Sequence, residues 1–132
     1  MILTGRELKA LCAAVMIQLD VPFPAVDKPR LSAQEQALAE HADAKLIAAL
    51  HSLEPALPRQ SPGWLDLLLD GQSDVVLSTD EVRVIVRIAD VCLTILPVND
   101  RDFAIFVGLP EGGIDSLRTA HRKLIASLDD HA

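Results

Sequence analysis

Tyrosine is absent from this chain, tryptophan occurs once and phenylalanine three times. A core of any size must therefore be built from Leu, Ile, Val and Ala, and aromatic stacking has little part in it. Cysteine is scarce too. Cys12 and Cys92 lie far apart on apolar stretches, with no CxxC and no Cys/His spacing of the kind that holds zinc. They are expected to pack as small hydrophobes in a reducing, cytoplasmic setting. No stretch reaches the ~20 apolar residues that a membrane-spanning helix needs. The run 10–19 follows Arg6 and Lys9, as a signal core would. Glu7 interrupts that basic region and no A-x-A-like cleavage site follows, so the run reads as a helix of the fold.

Positive charge is outnumbered. Twelve Lys and Arg stand against 19 Asp and Glu, for a net charge of −7 and a pI near 4.9. Such a surface repels phosphate backbones and anionic lipid, so neither nucleic acid nor membrane is an expected partner. A basic protein is the better match.

Half of the 132 residues are hydrophobic and the mean hydropathy is +0.29. That supply fills one core, and residues 1–132 read as a single globular domain. Thr4 and Glu7 form a T-x-x-E capping box, after which Leu8, Leu11, Cys12, Val15, Met16 and Leu19 recur at helical spacing. The helix stops before Pro22 and Pro24, and residues 21–31 read as a loop. Ser32 and Glu35 form a second box, opening a helix to about Leu53 with Leu38, Ala42, Leu46, Ala49 and Leu50 inward. On this helix Glu40, Asp43, Lys45 and His51 are expected in solvent. Ser61 and Pro62 predict a short helix ending at Gly71.

Residues 75–108 admit two readings. The run 82–88 and the run 91–95 are dense in β-branched residues, and Asn99-Asp100 suits a turn before the apolar run 103–107. Against this, Ser78 and Glu81 make a third capping box, and Arg83, Arg87, Asp90 and Thr94 fall on one helical stripe. Propensity points to strands and pattern to a helix. The β-branched density favours strands, which predicts an α+β fold: a helical N-terminal half, a small antiparallel meander over about 75–108, and a closing helix from near Asp115. An all-α bundle is the alternative.

Chemistry-bearing motifs are few. No G-x-x-x-x-G-K-S/T or G-x-G-x-x-G loop occurs, and 109–113 reads as a plain turn. His41 and His51 lie ten residues apart and cannot chelate one ion from a single helix, while His121 sits in a basic run. Asp66/Asp70 are expected in solvent and Asp100/Asp102 in a turn, and the serines fall mostly at caps. No catalyst, metal or cofactor is expected. Two features point to protein contact. Trp64 lies in the acidic segment 61–77, with Asp66, Asp70 and Asp74 as a rim for a basic partner. Arg118, Arg122 and Lys123 give the last helix a basic face suited to a homodimer. The expected function is a small acidic protein-binding module of adaptor, chaperone-like or inhibitor type. An enzyme with an unrecognised pocket and a structural subunit of a larger assembly are the alternatives.

Overall fold

The computed structural model describes residues 1–21, 29–109 and 111–130. Most of the expected 21–31 loop, Pro110 and His131 lie outside them. The elements run β1 (Ile2–Thr4), α1 (Gly5–Asp20), α2 (Ala33–Ser52), α3 (Trp64–Asp70), β2 (Gln72–Asp74), α4 (Thr79–Thr94), α5 (Asp100–Val107) and α6 (Gly113–Asp130). The class is α+β with helix dominant.

Among the described residues the sheet has two strands, and they are not where the sequence placed them. β1 and β2 pair antiparallel, with Ile2 opposite Asp74, Leu3 opposite Ser73 and Thr4 opposite Gln72. The expected meander over 75–108 is instead α4 and α5. Pairing energetics explain the correction. As a strand, 82–88 would put Arg83, Ile85 and Arg87 on one face, exposing the isoleucine or burying both guanidiniums. As a helix it buries Val82, Ile85, Ile88, Ala89 and Cys92 and leaves Arg83, Arg87, Asp90 and Thr94 in solvent. The β-branched residues lose only a few tenths of a kcal/mol each in a helix, far less than burying an unpaired charge.

Capping boxes start α1, α2, α4 and α5. In each, the N-cap side chain (Thr4, Ser32, Ser78 or Asn99) accepts an amide, and the acid three residues on returns the bond. Asn99 thus begins a helix rather than a hairpin turn. α5 ends at Gly108, whose φ of 69° lies in the left-handed region that glycine alone enters without penalty. α3 starts two residues later than Ser61 predicts, at Trp64, with Gly63 as its N-cap and no side-chain cap bond.

α1 is the central helix, touched by α2, α3, α4, α5 and α6. Leu8, Ala10, Leu11, Ala13, Ala14, Val15 and Ile17 are buried, so the helix is apolar nearly all round rather than along one stripe. Its many alanines let the neighbours approach closely. Met16, expected inside, is 36% exposed. α6 buries Leu117, Ala120 and Leu124 but leaves Ile125 partly exposed. No described helix is long and apolar enough to cross a membrane.

Candidate partner-binding surface

The short helix α3 is held on one side only. Leu68 and Leu69 are buried, and Gly5 at the start of α1 lies directly against them. The opposite side is open, with Leu67 55% exposed. Trp64, one turn before Leu67, is half-buried, and the Arg59 guanidinium carbon sits 5.7 Å from its ring centroid. That cation–π contact brings a positive charge to a segment that contains none of its own. Arg59 also pairs with Glu54 at 3.2 Å.

The three expected rim acids are all exposed but are not equivalent. Asp66 makes no ion pair among the described residues. Asp70 stands 3.9 Å from the Arg6 guanidinium, a loose, water-facing pair. Asp74 lies on β2 and accepts from the Met1 amino group at 2.8 Å. Asp66 and Asp70 therefore share α3 with Trp64, whereas Asp74 belongs to the strand that follows.

The expected basic face of α6 is also divided. Arg118 and Arg122 are exposed at (i, i+4) spacing, with Arg118 loosely paired to Asp115 at 3.3 Å. Lys123 turns the other way. Its ammonium donates to Glu7 Oε1 at 2.7 Å and to the Ile2 carbonyl at 3.1 Å, tying α6 to α1 and β1.

Sequence reasoning missed two charged clusters, because each joins residues far apart in the chain. Glu7 and Glu81 look like ordinary capping glutamates, yet their side chains are only 4% and 2% exposed. Glu81 Oε1 accepts from the Ser78 amide at 2.8 Å and from Lys45 at 2.7 Å, while Oε2 meets His41 Nδ1 at 3.0 Å. Burial pushes this carboxyl up, but Lys45, the Ser78 cap and His41 together outweigh it and hold it at about 2. Lys45, expected in solvent, thus anchors α2 to α4. Asp43, also expected in solvent, is half-buried beside the Cys12 thiol, and burial raises its carboxyl.

Both cysteines are buried and unbridged, and burial pushes each thiol up to about 12. Neither carries thiolate reactivity at neutral pH. Among the described residues, no three His, Cys, Asp or Glu converge to hold a metal ion. Comparison with protein-family models, with curated proteins and with solved structures returns no significant match.

Proposed function

We propose that this chain is a non-enzymatic protein-binding module that engages a basic segment of another protein through the open side of α3. The observation that carries the reading is Leu67, more than half exposed between Asp66 and Asp70 and one helical turn from Trp64. An apolar side chain beside a half-buried tryptophan supplies area to a contact, and the flanking carboxylates select the sign of the partner. Escort, adaptor and inhibitor roles all use such a face. A reducing cytoplasmic location fits the two buried, unpaired thiols.

A photo-crosslinking residue at position 67, compared with one at the exposed Glu40 of α2, tests the reading in lysate of the source cells. A discrete protein adduct at 67, absent at 40 and reduced by Trp64→Ala, is the expected result. No adduct specific to position 67 would overturn it.

Self-association is the second reading. Arg118 and Arg122 on α6 share the (i, i+4) spacing of Asp66 and Asp70 on α3, so two copies could pair these helices reciprocally. Sedimentation at micromolar concentration would then report a dimer that Arg118→Glu with Arg122→Glu disperses.

A further inference from the structure

The two edges of the small sheet are treated differently. In an antiparallel pair, residues alternate between facing the partner strand and facing away from it. Val75 N donates to Met1 O and Gly5 N to Gly71 O, which fixes the alternation. Met1, Leu3 and Gly5 face β2, so the backbone groups of Ile2 and Thr4 point outward from β1, and those of Gln72 and Asp74 point outward from β2. The outer edge of β1 is occupied: Lys123 donates to Ile2 O, and Thr4 N donates to Glu7 Oε1 at 2.8 Å. A charged pair plugs it in the way that protects natural sheet edges. Among the described residues β2 has no such charged plug and no other strand pairs with it, α2 being the helix packed against it. The side chains of Gln72 and Asp74 are exposed. Val76, immediately beyond, is 80% exposed.

We propose that the outer edge of β2 is a docking strand for an extended, basic segment of another protein, which adds a third strand to the sheet. The inference rests on the protein-binding reading and names the partner's conformation. Main-chain bonds to Gln72 and Asp74 give affinity, and side-chain sites beside the strand give selectivity. One such site is a cavity of about 230 Å³ at the end of the strand, bounded by Met1 and Val75 as well as Asp74, Val76, Leu77 and Ser127. At the other end only Gly71 separates β2 from α3, which ends at Asp70.

Charge decides the occupant. Asp66, Asp70 and Asp74 are the only ionisable side chains of segment 61–77, on a chain of net charge −7. Asp74 is already paired with the Met1 ammonium and Asp70 only loosely with Arg6, so a Lys- or Arg-bearing strand is attracted chiefly by Asp66, Asp70 and the net negative charge. A second copy is not, because antiparallel self-pairing about Ser73 would bring the Asp74 carboxylates of both copies onto one face of a short ribbon.

The test titrates the whole chain with a short peptide of alternating Lys and Val, read by calorimetry and amide hydrogen exchange. Gln72→Pro is the informative variant. Its amide points away from β1, so proline removes an outward donor and no β1–β2 bond. Gly71, at φ −64° and ψ 158°, already has the extended shape required before proline. Binding is expected, with the Gln72 and Asp74 amides protected and affinity cut roughly tenfold by Gln72→Pro. N-methylating alternate peptide residues should cost the same, and it carries the test if Gln72→Pro does not fold. Unchanged affinity in both altered cases, or no binding of the parent peptide, overturns the docking strand. In either case a position-67 adduct would leave the α3 reading standing. A dimer of the free chain that Gln72→Pro abolishes overturns it in favour of a second copy.

Discussion

Lys123 and Glu7, 116 residues apart in the chain, meet at 2.7 Å where α6 crosses the start of α1. Glu7 is almost wholly buried, and its Oε2 has no hydrogen-bond partner, so this pair sets the cost of burying the carboxylate. Lys123 also holds the Ile2 carbonyl. One ammonium thus joins a helix start, a strand edge and the closing helix.

Removing that ammonium should leave a buried, uncompensated charge. Lys123 is 37% exposed, so water reaching the site softens the penalty expected for a fully buried pair. Lys123→Met is expected to cost about 1–3 kcal/mol in urea denaturation. Glu7→Gln keeps the capping box and removes the charge, so Lys123→Met should cost less in that background. Additivity of the two substitutions within about 0.5 kcal/mol would show that the pair contributes no coupling.

Acid sensitivity should trace to Glu81. Its carboxyl falls from an ordinary 4.5 to about 2 on folding, so the unfolded chain binds the proton more tightly. The resulting stability is fully present above pH 4.5 and drains away as pH falls toward 2. The shift corresponds to about 3 kcal/mol at most. Glu81→Gln can still cap α4 but cannot titrate, so denaturation curves between pH 5 and pH 2 should lose much of their slope. An acid limb as steep as that of the parent chain would assign the sensitivity elsewhere.

Helix starts were legible because capping is local: Thr4 with Glu7 and Ser32 with Glu35 sit where the sequence places them. The same signal at Ser78 and Glu81 was present but was outweighed by β-branched density. That weighting fails because α4 is stabilised by burying Val82, Ile85, Ile88 and Cys92 on one face, not by intrinsic propensity. β1 and β2 were illegible for a different reason. Each is three residues long, too short for an alternation pattern, and each exists through its partner across about 70 residues of chain. Of the candidate surface, Trp64, Asp66 and Asp70 could be read from composition. Lys123 on Glu7 and the place of β2 at the sheet edge could not, because both depend on which elements meet.

Gly5 offers a test of close packing. A Cβ built there would lie 2.0 Å from the Leu68 carbonyl oxygen and 2.8 Å from its carbon, both main-chain atoms. Alanine at an ordinary helical position would gain about 1 kcal/mol over glycine through propensity. Here the clash wins, because α1 and the end of α3 must separate to relieve it. Gly5→Ala is expected to lose at least about 3 kcal/mol net, read as a lower urea midpoint. A neutral or stabilised variant would mean that α3 yields easily.

The last prediction separates the face of α3 from its anchoring side. Half-buried Trp64 under Arg59 should show acrylamide quenching between that of a free indole and a shielded core residue, and Arg59→Ala should raise it. Trp64→Ala should cost about 1–2 kcal/mol of stability, below the 3–5 typical of a fully buried aromatic. Asp66→Asn with Asp70→Asn should change stability by less than about 0.5 kcal/mol, because both carboxylates face water. The same pair should slow association of the Lys/Val peptide and flatten its salt dependence, since exposed charges steer encounter more than they hold a complex. Trp64→Ala should instead quicken dissociation. A fully shielded Trp64, with a folding loss near 4 kcal/mol on truncation, would place the ring in the core and remove it from the binding face.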